Sequence, residues 1–475
     1  MRILLRASLL ITALVAACGG GTPPATEPNP AERPAPAPTP APTPAPTPPV
    51  ADGPTAEEEL AWVVRTIEGG VTPSIAEIEA HFAPSFLAKV PAAKTAEIFS
   101  GLATELLPMK QLKLDSKPPL ELTAVYDTAV GGVRVSLQMT ATTPRKIAGL
   151  VFKPATAEAP PRTYGDAVAQ LEKAGSRTQL FVAEIEKGAC KARQNHHSTD
   201  RLAIGSAAKL WVLLALDEQL RTSKKKSTWD TTIKVRDEGK SLPSGELQDS
   251  PAGTAWTLRD VALKMISISD NTATDHLIDH VGREQVEEAL RIARHGEAVR
   301  NIPFLRTREL FALKLAVTPA ELERYRKVPL AAKRKLLDSY RSRPIDVEQA
   351  VKDWTAPRLL DLEWFASGPD LCNVMATLGA RAGWKPASEL LTILGKNPGV
   401  PMDPARWSYV GFKGGSEPGV MNLTWLGRRV DGTWFVVVVT VNDDAKMIDE
   451  GLVINAGAGA MAILGAEASP ATPAP

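Results

Sequence analysis

The stretch Ala203-Ile-Gly-Ser-Ala-Ala-Lys-Leu-Trp-Val-Leu-Leu-Ala-Leu216 decides how this chain is read. Leu210 to Leu216 is too apolar for an exposed helix, so the pattern predicts a buried helix with Ser206 at its N-terminus. Lys209 stands one turn further on, on the same face. Burial pushes a lysine toward its neutral form, which can take a serine proton. The helix N-terminus adds backbone N–H groups and a field that favours a developing oxyanion. A second Ser-x-x-Lys, Ser223-Lys-Lys-Lys226, lies in a solvated basic run where no lysine is desolvated, and is read as surface.

Two further motifs follow at a distance. Ser269-Asp270-Asn271 alone would be a helix N-cap. Lys413-Gly414-Gly415-Ser416, ending the strand-like Tyr409-Val-Gly-Phe-Lys413, alone would be a hairpin turn. Around them the pattern predicts a helix over 164–174, a strand over 179–185, strands over 407–412, 421–427 and 434–441, and a closing helix over 446–464. Strands from both ends of this region, with helices between, imply one antiparallel sheet packed against a helical region, an α/β sandwich.

Serine–lysine, then Ser-Asp-Asn, then Lys-Gly-Gly on a late strand is the order found in class A β-lactamases and penicillin-binding proteins, and residues 162–467 resemble that family. Leu242-Pro-Ser-Gly245, Asp361-Leu-Glu-Trp-Phe-Ala-Ser367 and Lys413-Gly-Gly-Ser-Glu-Pro-Gly419 extend the likeness to two-domain β-lactamase-like proteins with a steroid-isomerase-like N-terminal domain. The resemblance implies Ser206 as acylated nucleophile, Lys209 as its base, and Ser269 as proton carrier to the leaving nitrogen. It also implies Asn271, Lys413, Gly415 and Ser416 as substrate-binding positions, with the Ser206 and Ser416 N–H groups as oxyanion hole. Two positions depart from the pattern. Gly414 replaces a threonine whose hydroxyl would hold a substrate carboxylate, and no Glu-x-x-Leu-Asn segment supplies a deacylating carboxylate. Glu309 and Glu363 are the candidates for that role, separated by a charged helical insertion at about 316–358. The implied function is a serine hydrolase opening a β-lactam or related amide. The alternatives are a penicillin-binding-protein-like peptidase or esterase acting on a peptidoglycan-like substrate with slow β-lactam turnover, or a non-catalytic envelope-binding module.

Residues 54–153 read as a small α+β cone of steroid-isomerase type, with helices over 56–67, 75–86 and 93–107, and strands over 120–126, 133–140 and 147–152. Gly131-Gly132 is the expected hairpin turn, and His81 with Asp115 is weighed as an acid/base pair and set aside. Residues 154–161 are a linker, and 468–475 a tail.

The chain has 475 residues, 40 Pro, 3 Cys and a net charge of +1, a balance that gives no general pull toward nucleic acid. Thirteen of those prolines fall between Thr22 and Val50, a run that extended reaches on the order of 90 Å, so residues 18–53 read as a tether. Residues 1–17 read as an export signal, and Val15-Ala-Ala-Cys18 resembles a bacterial lipobox, which implies lipidation of Cys18. An exported lipoprotein is expected, periplasmic or at the cell surface, touching membrane through its anchor only. Cys190 and Cys372 remain, and whether they pair stays open. No cofactor or metal is expected; His276 and His280, spaced i, i+4, read as a polar helix face.

Overall fold

A computed structural model describes residues 53–117, 120–222, 227–241, 244–346, 354 and 356–467. The expected signal segment, Cys18, the tether through Asp52, Ser223 to Lys226, Leu242-Pro243, residues 347–353 and 355 of the expected insertion, and the tail lie outside the described residues.

The N-terminal block has four helices, α1 (Ala56–Glu68), α2 (Ile75–His81), α3 (Pro84–Leu87) and α4 (Ala92–Leu106). Its sheet runs β1-β2-β3-β4, all antiparallel, from β1 (Lys110–Lys117), β2 (Glu121–Thr128), β3 (Gly131–Met139) and β4 (Ile147–Pro154). Thr55 with Glu58 and Ser74 with Glu77 form capping boxes that start α1 and α2. Val63, Ile78, Phe82, Leu102 and Val135 are buried between helices and sheet. Two details differ from expectation, and the His81 and Asp115 pairing that was set aside is not formed. The helix expected over 75–86 breaks after His81, because the residues before Pro84 are extended and Phe82 bridges Ile147. Ala129 and Val130 form the turn, while Gly131 and Gly132 open β3. His81 pairs with the buried Glu59 at 2.7 Å, and Asp115 meets exposed Lys113 instead.

The second block begins with α5 (Tyr164–Ala174), β5 (Arg177–Glu186), β6 (Ala189–His196) and the short β7 (Leu202–Ala203). Next come α6 (Lys209–Thr222), β8 (Thr232–Lys234), β9 (Ala255–Thr257), α7 (Leu258–Ser267), α8 (Asn271–Val281) and α9 (Arg283–Ile292). Helices α10 (Thr307–Leu315), α11 (Pro319–Lys327) and α12 (Leu330–Arg341) precede β10 (Phe365–Ala366), α13 (Gly368–Arg381) and α14 (Glu389–Gly395). The chain closes with β11 (Trp407–Glu417), β12 (Val420–Arg429), β13 (Trp434–Asn442) and α15 (Glu450–Ala466). The closing helix starts at Glu450 rather than 446 because Asp449 caps it.

The five-stranded sheet has the order β11-β12-β13-β5-β6, with every pair antiparallel. One face is covered by α5 and α15, burying Leu171, Trp425, Val437 and Val453. On the other, α6 is the centre of a larger core: every residue from Leu210 to Leu216 is buried, Val212 and each leucine contributing about 1.5–3 kcal/mol. The expected α/β sandwich is the observed architecture, and it leaves β11 as a free edge facing the start of α6. Cys190 on β6 and Cys372 on α13 form a disulfide across 182 residues, tying the opposite edge of the sheet to the helical side. Such a cross-link constrains the unfolded chain.

Candidate active site

Ser206 lies in a 3-10 turn, Gly205–Ala208, that runs straight into α6. Gly205 has φ +49°, and a Cβ there would stand 3.3 Å from the Ser416 nitrogen on β11. A Cβ on Gly415 would lie 2.4 Å from Ser206 N and 2.1 Å from Ile204 O, so no side chain fits between turn and strand. This close approach brings the backbone nitrogens of Ser206 and Ser416 to one seam.

Lys209 is 3% exposed and donates to Ser269 O at 2.6 Å, Ser269 Oγ at 3.1 Å and Asn271 Oδ1 at 2.7 Å. Burial brings its pKa down to about 7, against the upward pull of the Asp270 and Asp275 carboxylates. Lys413 donates to the same Ser269 Oγ at 3.1 Å and to Gly414 O. Burial, then repulsion from Lys209, holds its pKa well below the ordinary lysine value. One hydroxyl thus sits between two lysines, neither of them favoured as a full cation.

The loop carrying that hydroxyl is held rigidly. Ser269 has φ +58°, a left-handed conformation that costs a non-glycine residue on the order of 1–3 kcal/mol. Asp270, fully buried, offsets this: it accepts from Ala273 N to cap α8, and from Glu246 N and Leu247 N at 2.7 and 2.8 Å. Ser244 Oγ donates to Ser269 O at 2.9 Å. Asp275 accepts from Thr307 N, Thr307 Oγ1 and Arg308 N, fixing α10 against α8.

A cavity of about 340 Å³ opens over this arrangement, lined by Ser206, Ser269, Asn271, Lys413, Gly415 and Ser416. Lys209 lies behind its wall and reaches it through Ser269 and Asn271. The two carboxylates expected for deacylation are elsewhere. Glu309, fully buried, spends both oxygens on Arg283 Nη1 and Nη2, Arg306 N and Arg306 Nη1, where it starts α10. Glu363, with no side-chain exposure, is bound to Lys314 Nζ at 2.6 Å. Neither lines the cavity. Glu417 does, next to Ser416, and shares Lys314 with Glu363. Burial and the Glu363 charge raise the Glu417 pKa well above the ordinary carboxylate value. Sequence reading missed Glu417 because it ends the quoted Lys-Gly-Gly-Ser run as an unremarkable acidic residue; its burial depends on Lys314, 103 residues away. His276 uses both ring nitrogens on backbone groups, Thr272 O and Arg236 N, so the i, i+4 histidines do not act together.

Residues 164–314 match the Beta-lactamase enzyme family. Among solved structures, the chain is similar to the β-lactamase from Sphaerobacter thermophilus DSM 20745, at 22% identity and a TM-score of 0.43 over 64% of this chain and 98% of that one. It is also similar to the L158E mutant of PBP-A, an acyl-enzyme complex with penicillin G, at 17% identity and a TM-score of 0.42 over 65% and 99%. A β-lactamase from Chitinophaga pinensis DSM 2588 gives 18% identity and a TM-score of 0.39 over 65% and 100%. No curated protein sequence matches the chain. The family match spans the opening helix, Ser206, Lys209 and Ser-Asp-Asn, so this part of the chain is similar to the Beta-lactamase enzyme family.

Proposed function

We propose that this domain opens a β-lactam or related amide by forming an acyl-enzyme on Ser206. The observation that carries the reading is the hydroxyl of Ser269 held 3.1 Å from both Lys209 and Lys413, in the cavity that also contains Ser206. Ser206 Oγ attacks the carbonyl carbon while its proton passes to neutral Lys209. The Ser206 and Ser416 N–H groups receive the oxyanion, each such donor being worth about 3 kcal/mol to the transition state. The C–N bond then breaks, and Ser269 Oγ delivers a proton to the leaving nitrogen while taking one from a lysine beside it. Asn271 binds a substrate amide, and Lys413 draws a substrate carboxylate. Water later attacks the ester, frees the acid and restores Ser206.

Two specific observations favour slow release. Glu309 is locked in arginine pairs, and Glu417 is held against Lys314, so neither stands ready as a free base for the water. A penicillin-binding-protein-like enzyme with a persistent adduct is therefore the second reading. The full chain incubated with a chromogenic cephalosporin separates the two: turnover supports a β-lactamase, stoichiometric colour with a stable mass adduct the second. Neither colour nor adduct contradicts both.

The acylation rate should follow the neutral fraction of Lys209. With a pKa of about 7, that fraction rises about tenfold per pH unit below 7 and levels off above it. Second-order acylation rates from pH 5.5 to 9 should show this rise and plateau; a rate that is flat or falls across pH 6–8 removes Lys209 as the base.

The N-terminal features support placement on a bacterial envelope. Cys18 as the lipidated residue predicts that the native chain fractionates with membranes, and that Cys18→Ser releases it to the soluble fraction. An unchanged membrane fraction in Cys18→Ser would exclude lipid attachment at that position.

A further inference from the structure

The cavity does not end at the serine and lysine groups. It continues past Gly414, where a Cβ would stand 2.9 Å from the Phe412 ring, and onto the sheet face that carries α15. There its floor is apolar, from Phe412, Met421, Leu423 and Trp425. Register places these together: Gly414 pairs with Leu423 and Phe412 with Trp425 across β11 and β12. Ile454 and Glu450 of α15 line this end, and so does Lys153 of β4. The N-terminal block therefore supplies a wall residue to the cavity that contains Ser206.

The contact that brings Lys153 there is tight. Helix α15 packs on β3 and β4. A Cβ at Gly451 would fall 1.9 Å from Ala155 O, and Gly131 lies against the Asp449 carboxylate. Only glycine at position 451 permits this approach, so the position of β4 over the cavity follows from the packing and not from a loop.

Two charges of opposite sign occupy this end, and neither forms an ion pair with a described residue. Lys153 is exposed. Glu450 lines the cavity at the first turn of α15, where burial and then the neighbouring Asp449 charge raise its pKa to about 7.

We propose that the N-terminal block completes the substrate site, and that Lys153 and Glu450 receive a terminal amino-acid group, carboxylate on Lys153 and ammonium on Glu450, of a substrate whose reactive carbonyl lies at Ser206. The middle of such a substrate is apolar, matching the floor. This inference rests on the acyl-enzyme reading and names the substrate class for it: amides bearing a zwitterionic arm.

Three cephalosporins with one nucleus and different acyl arms test it: D-α-aminoadipoyl, adipoyl (lacking only the ammonium) and pentanoyl (lacking both charges). With the full chain, Ser206 acylation should be fastest for aminoadipoyl, by about tenfold or more over pentanoyl at low salt. Lys153→Met should slow aminoadipoyl and adipoyl by about tenfold and leave pentanoyl unchanged. Glu450→Gln should remove the advantage of aminoadipoyl over adipoyl. Lys153 is exposed, so Lys153→Met should keep the unfolding midpoint of the parent, separating binding from folding. Equal acylation by all three compounds, or a Lys153→Met loss shared equally among them, overturns the inference while leaving the acyl-enzyme intact. Absence of both a Ser206 adduct and turnover with all three overturns the acyl-enzyme reading, and this inference with it.

Discussion

Ser206→Ala should fold like the parent and lose covalent reaction with β-lactams altogether, a fall in chemical rate of roughly a million-fold where turnover occurs. The magnitude follows from what remains: Lys209, Ser269 and Lys413 keep their mutual hydrogen bonds, but no atom is left to form the ester. Removing one oxygen at a site that lines the cavity should alter stability by no more than about 0.5 kcal/mol. Paired measurements decide the matter, with unfolding midpoints showing that the variant is intact and mass spectra after β-lactam exposure showing whether an adduct forms. A Ser206→Ala protein that still acquires the adduct would place the nucleophile elsewhere.

Lys314→Met should destabilise the fold by about 3–5 kcal/mol at neutral pH. Lys314 has no exposed side-chain area and is the cation between Glu363 and Glu417, which are exposed by 0% and 8%. Methionine keeps similar length but leaves two buried carboxyl groups facing each other without a counter-charge. The pH dependence has a definite sign. The folded Glu417 pKa, raised above the unfolded value of 4.5, means that its contribution to stability is present at low pH and lost as pH rises through the folded value. The deficit of Lys314→Met should accordingly be smaller at pH 5 than at pH 8. Urea unfolding at both pH values measures it. A loss below about 1 kcal/mol, or one independent of pH, would show that this cluster does not hold β11 to α10.

What the sequence revealed depended on locality. Ser206 and Lys209 are one turn apart on a helix whose burial shows in its own composition, and Ser269, Asn271, Lys413 and Ser416 sit in short contiguous motifs. The cavity gathers these motif positions, with Lys209 behind the wall. Two strands were not legible for a common reason: β1, Lys-Gln-Leu-Lys-Leu-Asp-Ser-Lys, and β6, Ala-Cys-Lys-Ala-Arg-Gln-Asn-His, are edge strands with little buried surface. Mostly polar, and with the Leu112 and Leu114 side chains of β1 exposed, they resemble loop. Carboxylate roles failed differently. Glu309 was near the expected place in sequence, yet its environment is set by Arg283 and Arg306, and only tertiary packing brings those guanidinium groups to it. Lys153 followed the strand expected over 147–152, beside a proline-containing linker, and nothing local indicated that it would reach the cavity of a different sheet.

The most direct measurement is the intact mass of the full chain after brief exposure to a β-lactam, followed by peptide mapping. A gain equal to the whole mass of an unfragmented β-lactam, located on the peptide that contains Ser206, is the expected result, because ring opening adds the compound without losing an atom. An unchanged mass without turnover, or an adduct mapped to a peptide lacking Ser206, would contradict acyl transfer at this site.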